Sequence, residues 1–178
     1  MKMIVATLGL VFATFTAVAQ APYAGMQSRP VKALSEKDVA DLRAGRGMGL
    51  ALPAELNGYP GPSHVLEHAD ALGLTADQHA RTAALFNEMK AETIPAGERL
   101  IEQEGKLDRL FAERRITLAS LKTATADIGV TQARLRETHL KYHLAMMTVL
   151  TREQVEKYQA LRGYRDTGGG ADQHHRRH

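Results

Sequence analysis

His64 and His68 stand four residues apart, and His139 and His143 repeat that spacing, with Met147 one helical turn further on. If both segments are helical, each pair projects two imidazoles from one face. Neutral imidazoles at i and i+4 form a preorganised pair of nitrogen donors for Zn, Ni, Co or Cu. The Met147 thioether would add a soft ligand that favours copper or nickel over magnesium. The candidate ligand set is His64, His68, His143 and Met147, with His139 in reserve. His79 reads as a solvated helix residue. His174, His175 and His178 close the chain around Arg176 and Arg177, and this tail could collect metal loosely or touch an anionic surface.

Other chemistry finds little footing. The chain has no Cys, which excludes disulfides, thiolate metal sites, thiol nucleophiles and iron–sulfur clusters. Ser28, Ser35, Ser63 and Ser120 lack a G-x-S-x-G context, and neither HExxH nor a glycine-rich phosphate loop is present. No enzymatic activity is expected. Lys and Arg number 23 against 20 Asp and Glu, a balance that does not demand nucleic acid. Aromatics are 5% of residues and Trp is absent, which argues against base stacking. Glu98, Glu102 and Glu104 read as a solvated helix face.

The elements that must position the histidines are helical, because no stretch alternates convincingly at period two. Ser35 with Asp38 caps a short helix that ends near Gly45. Residues 45–62 hold five glycines and three prolines, an irregular loop. Its Met48, Leu50, Leu52 and Leu56 leave two readings open, a loop laid on the domain or a tethering linker. Residues 20–62 are thus a flexible arm and loop, followed by a helical domain over 63–164. Ser63 caps a short helix that Gly73 ends. Thr75 caps a long helix that Pro95 and Gly97 should bend. The apolar stripe changes phase near residues 113–117, and a second long helix carries Leu118, Ile128, Leu135, Tyr142 and Met146. Thr151 caps a last helix that stops at Gly163. Residues 165–178 read as a disordered His-rich tail.

Leu74-Thr75-Ala76-Asp77-Gln78 and Leu150-Thr151-Arg152-Glu153-Gln154 share one pattern, LTxxQ. In each, Thr accepts from an exposed helix N–H and Gln reaches back to the Thr backbone N–H, while Leu150 can staple onto Val155. The two threonines are equidistant from residue 113. A hairpin turning there brings both corners to one end, with arms of roughly 55 Å at ~1.5 Å per residue. Folded in this way, His64 and His143 both fall level with residue 83, and His68 and Met147 with residue 79. Lys106, Arg109, Arg114 and Arg115 gather toward the hairpin tip. Two helices cannot bury both faces alone, so dimerisation or cover from the N-terminal segment is expected.

The first residues carry a targeting signal. Lys2 precedes an apolar run from Met3 to Val18, and Ala17-Val18-Ala19 is an A-x-A cleavage site. Residues 1–19 read as a cleaved signal peptide and the protein as periplasmic. The run is short for a membrane span.

With its two LTxxQ copies and the closing Tyr158-x-x-Leu161-Arg162-Gly163-Tyr164, the chain resembles the LTxxQ-motif periplasmic proteins, the Spy/CpxP-like group of chaperones and heavy-metal sensor or resistance proteins. The resemblance covers residues 62–164. It implies an all-α fold, a long curved hairpin with short flanking helices, usually dimeric. It implies a metal-binding envelope-stress accessory or sensor, or else an ATP-independent chaperone that holds unfolded clients on a concave surface. Partners would be a second copy, unfolded periplasmic proteins or an envelope sensor. In the sensor relatives an HxxxH pair and an HxxxM pair converge on metal; His64 and His68 match the first, His143 and Met147 the second. Registered on the second LTxxQ motif, the relatives' pair falls instead on Tyr142 and Met146.

Overall fold

The structure is a computed structural model, and it describes residues 22–164; the expected signal peptide and His-rich tail lie outside the described residues. The described residues are helical with no strand. Seven α-helices follow a 3-10 turn at Met26–Ser28: α1 (Glu36–Arg43), α2 (Leu52–Glu55), α3 (Pro62–Glu67), α4 (Ala69–Leu72), α5 (Ala76–Ala112), α6 (Leu118–Met146) and α7 (Arg152–Leu161). Among the described residues no helix is long and apolar enough to cross a membrane.

Helices α5 and α6 pack on one another as a hairpin, turned by residues 113–117 where the hydrophobic phase changes. Arg114 takes a left-handed φ of 54° in that turn, and Thr117 caps α6 in a box with Ser120. Helix α5 runs unbroken through Pro95, so the proline does not divide the arm. Gly97 marks a close crossing. A Cβ there would come within 2.6 Å of the Leu42 backbone oxygen, because α1 crosses α5 at this point. The expected single helix over 63–72 is split at His68, whose φ of −109° and ψ of 18° are not helical. Its first turn starts with Pro62 rather than on a Ser63 cap. A proline there has φ already set and lacks an N–H that would go unpaired.

Residues 31–62, expected as a flexible arm and loop, lie against the hairpin. Lys32 Nζ reaches Asp108 at 3.0 Å, Val31 packs beside Gly105, and α2 contacts α6. Two apolar clusters result. Near the LTxxQ corners are Val65, Leu72, Met146, Val149, Leu150 and Tyr158, with Leu74 and Val155 against them. Further toward the tip are Leu42, Leu100, Ile128 and Leu135. His139 and His143 sit on α6 between the residues that serve the two clusters.

Candidate functional site

The corners hold the site's end of the molecule together. Each threonine side chain accepts from its own Gln backbone N–H, and each Gln Oε1 accepts from its own Thr N–H. The amides then join across the chain. Gln78 Nε2 donates to Gln154 Oε1 at 2.8 Å, and Gln154 Nε2 donates to Gln78 Oε1 at 3.0 Å. The remaining proton of Gln78 goes to the Val149 carbonyl at 2.9 Å, and that of Gln154 points at the Gly73 carbonyl at 3.5 Å. The two motifs are thus paired about a local twofold.

This clasp seats α3 beside α5 and α6. A cavity of about 230 Å³ opens there, walled by Gly47, Glu55, Gly61, His64, Met89, His139, His143 and Arg162 among others. His139 is 3% exposed and His143 7%. Burial, with the neighbouring His143 adding repulsion, pushes the His139 imidazole down to about 4. It is therefore neutral at pH 7, the form in which imidazole donates a lone pair. His143 is fixed through Nδ1, 2.6 Å from the Tyr59 carbonyl. A carbonyl only accepts, so Nδ1 carries the proton and a neutral His143 keeps its lone pair on Nε2. Gly61 packs close against this ring; a Cβ there would stand 2.7 Å from Cε1 and 2.9 Å from Nε2.

His64 reaches the cavity wall from α3, with Nδ1 2.9 Å from Glu67 Oε2 on the exposed side. That hydrogen bond holds the Glu67 carboxyl below its ordinary range. His68 closes α3 and opens α4 and does not line the cavity. Met147 caps the end of α6 at 39% exposure, also away from it. The one-residue shift to Tyr142 and Met146 supplies no better donors. Met146 is fully buried in the apolar cluster, and the Tyr142 hydroxyl donates to Glu92 at 2.8 Å. Burial and that carboxylate push the Tyr142 phenol up to about 12. Among the described residues no three His, Asp or Glu side chains are already grouped tightly enough to hold a metal ion. The structure therefore brings His64, His139 and His143 to one cavity and leaves His68 and Met147 outside it.

Glu55 is the site residue that the sequence pattern concealed. It is 6% exposed. Its Oε1 accepts from the Tyr158 hydroxyl and lies 3.5 Å from Arg162 Nε. Burial first, and then the Glu55 carboxylate, push the Tyr158 phenol well above its ordinary value. The other oxygen, Oε2, is buried without a hydrogen-bond partner and lies 3.7 Å from His143 Nδ1. The only sequence signal was the apolar company of a lone acid in Leu50-Ala51-Leu52-Pro53-Ala54-Glu55-Leu56. Comparisons of the chain with protein-family models, curated proteins and solved structures returned no match.

Proposed function

We propose that this protein is an exported metal-binding stress accessory or sensor whose ion site is the cavity between the 45–62 loop, α3 and α6. The observation that carries the reading is the gathering of His64, His139 and His143 from two separate helices around one small cavity, with His139 kept neutral by burial. Three imidazole donors suit Zn, Ni, Co or Cu. His139 and His143 are held in place by packing, whereas His64 is tied to half-exposed Glu67. To join them His64 would have to leave Glu67. Occupancy would then draw α3 onto α6 and change the surface shown to a second copy or an envelope sensor.

Titration calorimetry with Zn²⁺, Ni²⁺ and Cu²⁺ tests this on the chain with His174, His175 and His178 replaced by Ala. The expected result is one site per chain, weakened at least tenfold by His64→Ala and by His139→Ala. Absence of binding, or binding indifferent to both substitutions, overturns it.

One observation favours a second reading, an ATP-independent chaperone. Phe111 and Leu118 flank the hairpin tip at 54% and 87% exposure, with Arg114 and Arg115 between them. Beside them a groove of about 870 Å³ is lined by Leu110 and Ala124 with charges of both signs, Arg99 and Lys106 against Glu98, Glu102 and Asp127. Exposed apolar side chains beside such a mixed-charge groove can hold partly folded chains.

A further inference from the structure

We propose that the outward face of α6 is an interface on which a second copy of the chain seats its own α6, antiparallel and in one defined register. The proposal stands apart from ion binding and from the hairpin tip, and neither reading falls with it.

The starting point is a helix with two apolar sides. A surface helix of a small domain needs one apolar stripe, the one that faces the core. Helix α6 has it: Ile128, Thr131, Leu135, Thr138 and Tyr142 are buried, at alternating steps of three and four. A second row with the same steps stands two residues further along, about 200° around the helix. It carries Val130 at 70% exposure and Leu144 at 59%, with half-buried Leu140 between them and exposed Ala133 beside Val130. Nothing in the chain lies within 4 Å of the Cβ position of neighbouring Gly129. Apolar positions at steps of three and four are the pattern by which two helices interlock. Counted from Ala119 to Leu144, the row is about 38 Å long at ~1.5 Å per residue.

The residues on the row fix the occupant and its direction. Place a twofold axis between Val130 and Ala133, so that each meets the other on the partner. Leu144 then faces the partner's Ala119, Leu140 the partner's Thr123, and Glu137 the partner's Ala126. Each larger side chain meets a smaller one, as close packing at an interface requires. The charges beside the row agree. Asp127 faces the partner's Arg136, twice by symmetry. Both residues are exposed, and neither has an ion-pair partner among the described residues. The one like-charge meeting sets Lys122 toward the partner's Lys141, whose counterpart here is already held by Glu92 at 2.6 Å. A parallel pair would instead put Glu137 against the partner's Glu137 and Leu144 against the partner's Leu144. The face is therefore complementary to itself in one direction only.

Sedimentation equilibrium of the full chain in chelator-treated buffer tests the proposal. A dimer is expected at about 50 µM chain, and a monomer at that concentration overturns it. Val130→Glu with Leu144→Glu, both at exposed positions, should give a monomer of unchanged helical content; a dimer that persists overturns it as well. Asp127→Arg or Arg136→Asp alone should weaken association about tenfold, and the two together should restore it to within about threefold of the parent. A double reversal that recovers nothing overturns the register. Direction is read from cross-linking, since the chain has no Cys. Ala119→Cys chains mixed with Leu144→Cys chains should form a disulfide-linked dimer on mild oxidation, and neither variant should do so alone. Cross-linking of either variant with itself, or no link in the mixture, overturns the antiparallel pairing.

Discussion

His139 is a basic side chain placed where almost no water reaches it, and that has a consequence for stability. Its imidazole titrates near 4 in the folded chain against 6.5 when free. Between those values the unfolded chain takes up a proton that the folded chain refuses. Stability therefore falls as pH drops from 6.5 toward 4, by about 1.4 kcal/mol per pH unit at most, and the contribution is flat below that. The carboxylates held low by hydrogen bonds, Asp38 and Glu92 among them, lose their contributions only as pH falls below ordinary carboxylate values near 3.8 and 4.5. The two windows are distinct. In chelator-treated protein, urea denaturation at pH 6.5 and pH 5 should show a loss on the order of 2 kcal/mol. His139→Leu should flatten that difference, and an unchanged pH slope in the variant would refute the assignment. At this scale the sequence was half legible. Two histidines a turn apart on a helix are visible in any reading. Which pair is buried depends on what the 45–62 loop covers, and no local spacing encodes that. Glu55 was invisible for the same reason: its partners Tyr158 and Arg162 come from more than a hundred residues away.

At the scale of elements, capping chemistry is the part that spacing states outright. Ser35, Thr75 and Thr151 cap their helices with the partners expected, because a cap involves residues within one turn. That Gln78 and Gln154 would also clasp each other was legible only through the equal distance of both corners from residue 113. Glycine is where local reading fell short. Gly97 read only as a bend, and its place as a crossing point under α1 was not visible. Gly97→Ala would drive a Cβ to 2.6 Å from the Leu42 backbone oxygen and 3.2 Å from its Cβ, and backbone cannot swing aside as a side-chain end can. The variant should lose about 1–3 kcal/mol as α1 is pushed off α5. Gly129 provides the contrast. It is also mid-helix, but nothing lies within 4 Å of its Cβ position, so Gly129→Ala should gain up to about 1 kcal/mol from helix propensity alone. Thermal unfolding of both variants tests the pair. A neutral Gly97→Ala would mean that the close approach of α1 is not part of the stable structure.

For the whole molecule, the hairpin puts its two candidate surfaces at opposite ends. The all-helical class and the turn near residue 113 followed from periodicity and the phase change. The placement of residues 31–62 did not, since their glycines and prolines fit a tether as well as a cover, and only docking distinguishes them. That cover leaves the cavity beside the LTxxQ corners and the apolar side chains at the tip. From Leu118 to His143 along α6 the distance is about 37 Å at ~1.5 Å per residue, beyond several screening lengths at physiological salt. Among the described residues no packed cluster joins the ends directly: one apolar group serves the corners and another the middle of the hairpin. Substitutions at one end should therefore leave the other unaffected. Phe111→Ser with Leu118→Ser should abolish or sharply reduce suppression of client aggregation by stoichiometric protein in metal-free buffer, and leave zinc affinity within twofold. His64→Ala with His139→Ala should do the reverse. Suppression that survives the tip substitutions would remove the chaperone reading. Zinc affinity that falls with them would mean that occupancy at the corners is felt along the whole hairpin, and the two ends would have to be treated as one coupled device.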